Sequence, residues 1–195
     1  MGRHCLDLMR SEICTIDYAI LTGNYEVCEL LMGRSARNCS LSTKLDHNRR
    51  VILAVQRGYY DIVGLLLDAG EDPMEQDPER RTPLHYSVES SDIKLTELLL
   101  IRGVDSNVKS AASNTPLIRA ICRNDFVSVS TLIKFARIPV NVDVEDASGR
   151  AAIELAANIS QNITEILLNA GAYYDKVRSA KSTISLIIER NDQLF

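Results

Sequence analysis

An internal repeat is the feature that most constrains what this chain can fold into. The segment from Thr82 reads TPLHYSVESSDIKLTELLL and the segment from Thr115 reads TPLIRAICRNDFVSVSTLIKF, so the two openings lie 33 residues apart. Related openings begin at Cys14, Arg49 and Ala151. Repetition at this period is typical of stacked supersecondary units, each of which buries its apolar faces only against its neighbours. The sequence therefore predicts a repeat array rather than a closed globule.

The columns of the repeat have helical spacing. An apolar residue is followed three positions later by a small one, and residues i and i+3 share one face of a helix. The apolar column is Ile16, Val51, Leu84, Leu117 and Ile153, and the small column is Ala19, Ala54, Ser87, Ala120 and Ala156. Apolar triplets at 30–32, 65–67, 98–100 and 166–168 predict the buried face of a second helix, and Gly70, Gly103 and Gly171 mark where that helix ends.

The period and the opening Thr82-Pro83-Leu84-His85 resemble the ankyrin repeat. The resemblance implies an all-α fold, an ankyrin-repeat solenoid of helix-turn-helix units joined by β-hairpin-like loops. The predicted units are an N-terminal cap at 1–13, repeats at 14–48, 49–81, 82–114, 115–150 and 151–181, and a partial sixth repeat or C-terminal cap at 182–195. Only the third repeat keeps the full TPLH opening, so the others are expected to lose some local hydrogen bonding.

Charge and cysteine content limit the kinds of partner and the compartment. The net charge is -4 and the pI is about 5.4, which gives no general attraction for nucleic acid or anionic lipid. No apolar run approaches about 18 residues, so no membrane span is expected. Five cysteines without a CxxC pair favour neither a disulfide framework nor a metal site. We expect a chain that is monomeric on its own and cytoplasmic, with the nucleus as a second location.

The sequence contains no recognisable catalytic motif. A glycine-rich phosphate loop, an HExxH zinc motif, a GxSxG elbow and a kinase signature are all missing from it. In the ankyrin family the histidine of TPLH bonds to the neighbouring Thr and backbone, which implies a structural role for His85. We therefore expect neither an enzyme nor a resident cofactor or metal.

The resemblance also implies where a protein partner would be held. Ankyrin stacks commonly bind on their concave face, through hairpin tips and through two variable positions near the end of each first helix. Here those positions are Leu21 and Thr22, Gln56 and Arg57, Glu89 and Ser90, Cys122 and Arg123, and Asn158 and Ile159. Their chemistry varies between repeats while the core columns stay similar, which suits either recognition or unconstrained surface positions.

The acidic run at residues 71–79 holds five acids in nine residues, at the predicted hairpin between the second and third repeats. A solvated loop is the ordinary interpretation. The alternative is that Glu75 and Asp77 steer a basic partner segment, in which case reversing their charge would slow association.

Three further hypotheses concern function. The first is a repeat-only adaptor or inhibitor that binds a protein partner. The second is the substrate-recognition part of a ubiquitin-ligase adaptor, and the third, from a different class, is a regulatory segment of an enzyme. A separate hypothesis concerns modification: Asn107 follows Leu99 and Asp105 at the spacing that the family's asparaginyl hydroxylation sites resemble, although Ser106 departs from that pattern.

Overall fold

A computed structural model describes residues 15–35 and 49–173. Within these ranges the chain forms ten helices in five pairs. The pairs are α1 (Thr15–Leu21) with α2 (Tyr25–Ser35), α3 (Arg50–Gln56) with α4 (Tyr60–Asp68), α5 (Pro83–Glu89) with α6 (Ile93–Ile101), α7 (Pro116–Cys122) with α8 (Phe126–Phe135), and α9 (Ala152–Ile159) with α10 (Gln161–Asn169). The predicted caps at 1–13 and 182–195 lie outside the described residues, and the boundaries between repeats stay predictions.

The helices stack in two layers. Each first helix packs on its own second helix and on the first helices of the adjacent pairs, and the second helices contact one another in the same order. The small column explains how closely the first helices approach, because Ala54, Ser87, Ala120 and Ala156 are all fully buried. The all-α solenoid predicted from the repeat is therefore confirmed.

β-hairpin-like loops join successive pairs. The turns at Asp77, Ser110 and Asp146 are alike, since in each the backbone N–H of that residue donates to the carbonyl four positions later. The residue just before the end of each turn, Arg80, Ser113 or Gly149, has a positive φ. Adjacent hairpins are also linked, because the Ala111 N–H donates to the Glu79 carbonyl at 2.7 Å.

The core lies between the two layers and follows the predicted columns, with one correction. In the second helices the middle leucines Leu66, Leu99 and Leu167 are fully buried, as is Leu100, whereas Leu31 is half-buried. Leu30 was predicted to belong to the buried face, but it is 60% exposed. Leu30 is the first residue of its triplet. In a helix with one buried face, that position points away from the core.

The first helices are capped in different ways. In the third repeat the Thr82 N–H donates to His85 Nδ1 at 3.1 Å, and His85 Nε2 lies 3.1 Å from the Asn114 carbonyl of the next hairpin. Burial lowers the pKa of His85, so the neutral ring joins two repeats. At the start of α3, Arg49 provides no side-chain cap, in agreement with the loss expected where TPLH is missing.

Candidate functional site

The hairpins and the first helices enclose a groove in the third and fourth repeats. Its cavity has a volume of about 420 Å³. Hairpin residues 110–112 form one side, and His85, Glu89 and Arg119 of the first helices form the other. These residues define the groove. It is the side of the stack on which the resemblance predicts a partner.

Charged side chains in the groove are paired with each other across repeats. Arg119 donates to the Glu89 carboxylate, and Arg81 lies 3.9 Å from the other oxygen of Glu89. Arg81 also donates to Glu79 at 2.6 Å. Arg119 is 41% exposed and Glu89 is 34% exposed, so a partner can reach both. The pairing presents a fixed pattern of alternating charge, which favours orientation of a partner more than raw affinity.

Tyr86 connects the groove to the hairpin above it. Its hydroxyl donates to Asp77 Oδ2 at 2.6 Å, and the Arg81 guanidinium lies 4.6 Å from its ring centre. Burial and the adjacent Asp77 raise the pKa of Tyr86 to about 12. The phenol therefore stays protonated and keeps donating over the whole physiological range.

We expect Tyr86→Phe to lower the free energy of unfolding by about 1.5 kcal/mol, because a hydrogen bond to a carboxylate is lost at a largely buried acceptor. Tyr18→Phe is the matched control, since Tyr18 occupies the same helix position in the first repeat and is 48% exposed. Urea denaturation of both variants measures the difference. Equal losses would show that the Tyr86 hydroxyl contributes nothing specific.

The interpretation of the acidic run as a solvated loop is wrong for Asp77, and the alternative, in which Asp77 steers a partner, stays a prediction. Its exposed fraction is 8%, and it accepts from the Arg81 backbone N–H at 2.7 Å and from Arg81 Nε at 2.8 Å. Although burial raises its pKa, the bonds from Tyr86 and Arg81 outweigh that effect and lower the pKa to about 2. Asp77 closes the hairpin turn and leaves little surface for a partner.

Glu75 is also buried, with an exposed fraction of 3%, so the solvated-loop interpretation is wrong for this residue as well. Its Oε1 accepts the backbone N–H of Ile52, in the first turn of α3. Arg49 gives that turn no cap, and Glu75 reaches it from the hairpin that follows α4. Glu75 therefore caps α3 from a distant part of the same chain. At α7 the same role falls to Thr115, whose hydroxyl accepts the Ile118 N–H at 3.3 Å.

The remaining acids of the run are engaged as well. Glu71 accepts from Arg50 at 2.9 Å, and Arg50 bonds on its other side to Asp17 at 2.9 Å, joining the first two repeats. Asp72 accepts the Met74 N–H at 2.8 Å. The acidic run thus stabilises the second hairpin and is not a free negative patch.

The predicted helix-end positions form a row along the first-helix layer. Those that are exposed are Thr22, Gln56, Arg57, Ser90, Cys122, Arg123, Asn158 and Ile159, whereas Leu21 and Glu89 are half-buried. The Ser90 and Thr22 hydroxyls donate to carbonyls of their own helices at 3.0–3.1 Å. The structure therefore places these positions side by side on one surface, and their role in binding stays a prediction.

Sequence reasoning missed a second column on the same surface, one helical turn earlier. It consists of Tyr18, Leu53, Tyr86 and Arg119, whereas Leu155, at the same position in the fifth repeat, is buried. Arg119 lines the groove, and Tyr86 bonds to the hairpin. Residues i and i+4 share a helix face, so spacing from Ser90 and Arg123 could have identified this column.

Two cysteines and Asn107 complete the candidates from the sequence. Cys28 is buried, which raises the pKa of its thiol, and Cys122 is exposed. The Asn107 side chain donates to the Pro139 carbonyl at 3.0 Å and accepts the Asn141 N–H at 2.7 Å. The NH₂ and the carbonyl oxygen of the Asn107 side chain thus both bond to the next hairpin. Hydroxylation of Asn107 stays a prediction.

Within 15–35 and 49–173, no group of three or more His, Cys, Asp or Glu side chains could hold a metal ion. None of the ten helices is long and apolar enough to cross a lipid bilayer.

Comparison with known proteins agrees with this architecture. The chain is 31% identical over 108 residues to the E3 ubiquitin-protein ligase KEG of Arabidopsis thaliana, a match that covers 55% of this chain and 6% of the ligase. It is 34% identical over 103 residues to cyclin-dependent kinase 4 inhibitor B of Bos taurus, covering 53% of this chain and 76% of the inhibitor. It is 30% identical over 119 residues to cyclin-dependent kinase inhibitor 2A of Homo sapiens, covering 61% and 74%.

The share of each relative that the match covers differs widely. The match spans a small part of the ligase but about three quarters of each inhibitor. Both inhibitors are named for regulating a kinase rather than for catalysis. A family model described as ankyrin repeats (3 copies) matches residues 16–110 and 92–178, so the chain belongs to the ankyrin-repeat family.

Proposed function

We propose that this chain is a protein-binding scaffold that holds its partner against the groove and the row of first-helix ends. Ankyrin repeats generally mediate protein–protein interaction. One observation carries the proposal: the same helix turn exposes side chains of different chemistry in every repeat, above buried columns that hardly change. A rigid framework with a variable surface suits recognition.

The charge of this row indicates the kind of partner surface that fits. Arg57 and Arg123 are exposed, and the single acid of the row, Glu89, is already paired with Arg119. The surface offered to a partner is thus locally basic, although the whole chain carries a net charge of -4. Arginine is enriched among binding hot spots because it combines charge, several donors and apolar stacking. We infer that the partner presents carboxylates to this row.

An inhibitor is the form of scaffold that the comparisons favour. The two kinase inhibitors match this chain over about three quarters of their own length, so the aligned repeats make up most of each inhibitor. A cyclin-dependent kinase is accordingly the first partner to test. The second candidate, substrate recognition within a ubiquitin ligase, is favoured by the match to KEG.

We expect the double change Arg57→Ala and Arg123→Ala to weaken partner binding roughly 10- to 100-fold, because it removes two exposed arginines from the centre of the row. The experiment is affinity capture from cell extract with the wild-type chain, followed by calorimetry with each purified partner. Cyclin-dependent kinase 4 is included as a purified probe. Binding should also weaken as salt is raised, since exposed charges are screened.

The matched control is Lys94→Ala, which removes an exposed cation from the second-helix layer. We expect this variant to retain all partners and the wild-type affinity. If the double arginine variant binds as tightly as wild type while Lys94→Ala loses the partner, the binding surface lies on the other layer. If kinase 4 does not bind but another captured protein depends on the arginines, the scaffold stands and the kinase assignment fails.

A further inference from the structure

A second cavity lies on the opposite layer, away from the groove. It has a volume of about 320 Å³ and is bounded by α2, α4 and α6. Two tyrosines stand at its edge, Tyr25 with 40% and Tyr60 with 44% of its surface exposed. In the part of the chain that the structure describes, neither hydroxyl has a hydrogen-bond partner. Two aromatic rings are therefore left open to solvent beside one cavity.

Gly64 forms part of the cavity wall in the middle of α4. Glycine is unfavourable within a helix, and the structure gives no local reason for it: φ is not in the left-handed region, and an added Cβ would meet nothing within 4 Å. The equivalent positions in the other repeats carry side chains, namely Glu29, Glu97, Ser130 and Glu165. The missing side chain at Gly64 thus opens the cavity at a cost to the helix, and departures of this kind are expected at functional positions.

The charged residues of the cavity determine which kind of ligand it can bind. The wall contributes Asp61, Asp68 and Arg102. Arg102 Nη1 lies 2.9 Å from Asp68 Oδ1, so these two charges compensate each other. The exposed Asp61 has no ion pair among the described residues and leaves the cavity with one unbalanced carboxylate. An anionic occupant is thereby disfavoured.

We propose that this cavity binds an arginine side chain from an exposed segment of a protein partner. A guanidinium stacks on a tyrosine face and bonds to a carboxylate at the same time, which neither an apolar nor an acidic side chain can do. The ring of Tyr60 and the carboxylate of Asp61 both line this cavity, in the first turn of α4. This site is separate from the groove and does not depend on what the groove binds.

The test is a titration of the ¹⁵N-labelled chain with acetylated, amidated pentapeptides of sequence Gly-Ser-X-Ser-Gly, followed by amide chemical shifts. With X as arginine, we expect saturating shifts at Tyr60 and Leu65 and a dissociation constant on the order of 1 mM. With X as leucine or glutamate, no saturation is expected. Asp61→Asn should weaken the arginine peptide about threefold, as an exposed ion pair is lost.

Gly64→Gln fills the cavity and should weaken the arginine peptide at least tenfold. Because glutamine is a better helix former than glycine, its thermal midpoint should equal or exceed that of wild type, which separates lost binding from lost folding. Glu165→Gln, at the equivalent position on α10, is the matched control and should bind as wild type does. A leucine peptide that saturates equally well, or an arginine titration that leaves Tyr60 and Leu65 unmoved, would overturn the proposal.

Discussion

Glu75→Lys is expected to lower the free energy of unfolding by about 3–5 kcal/mol. Glu75 is 3% exposed, and its carboxyl group accepts the Ile52 N–H. Its loss leaves a buried donor without a partner, at about 1–3 kcal/mol, and the lysine adds the larger penalty of a buried charge. Urea denaturation followed by far-UV circular dichroism measures the change. Any loss of partner binding in this variant is expected to follow from unfolding and not from altered steering.

Two controls separate this cap from the general charge of the acidic run. Glu75→Gln keeps an acceptor oxygen at the same place, and we expect it to cost less than about 1 kcal/mol. Glu79→Lys makes the same charge reversal four residues later, where the side chain is 63% exposed, and should also cost less than about 1 kcal/mol. If Glu75→Lys and Glu79→Lys were equally destabilising, the run would act through its summed charge and the capping role would be wrong.

The structural role of Asp77 was readable in the sequence. Asp77 and Arg81 are four residues apart at a hairpin, and Asp146 and Arg150 repeat that spacing two hairpins later. In both turns the carboxylate accepts the arginine's backbone N–H and its guanidinium. A short polar residue that closes a turn in this way is a common local motif. The spacing of Asp and Arg that the two hairpins share predicts this turn.

The role of Glu75 could not be read in the same way. Its equivalents in the next two hairpins are Val108 and Val144, so the column is apolar and an acid in it looks like a surface substitution. The reason for the acid lies 23 residues away, at Ile52. Only the three-dimensional arrangement shows that this hairpin covers the uncapped start of α3. Periodicity predicts what the repeats share. It does not show that one departure from the pattern, the acid at Glu75, makes up for another, the missing cap at Arg49.

The same limit applies to the candidate binding surface. The helix ends were predicted from the resemblance to ankyrin repeats, whereas Arg119 and Tyr86 were missed because their contacts lie with other parts of the stack. Ion pairs and hydrogen bonds within the chain also change which charges are exposed on the surface. Most acids of the second hairpin are bonded within the chain, so the proposed binding row takes its charge from the exposed Arg57 and Arg123.

Stability should fall as the pH rises from about 6.5 to 8, at up to about 1.4 kcal/mol per pH unit. Burial, reinforced by Glu71 and Asp72, outweighs the bonds from the backbone of residues 51 and 52 and raises the pKa of Glu75 from 4.5 to about 8. In this interval the folded chain keeps a proton that the unfolded chain has released, so each step in pH favours unfolding.

The Glu75→Gln variant separates Glu75 from the other shifted groups. Asp77, with a pKa of about 2, and Tyr86, with a pKa of about 12, titrate outside the interval from pH 6.5 to 8. His85 has a lowered pKa, so its unfolded form, at the ordinary value of 6.5, still releases protons at the lower end of the interval and adds the same small gain in stability to both proteins. Urea midpoints measured at half-unit steps should therefore decline in wild type and stay nearly level in Glu75→Gln, which cannot lose a proton. Parallel declines in the two proteins would assign the slope to another group, and a rise in wild-type stability would mean that the carboxylate is already ionised when it caps α3.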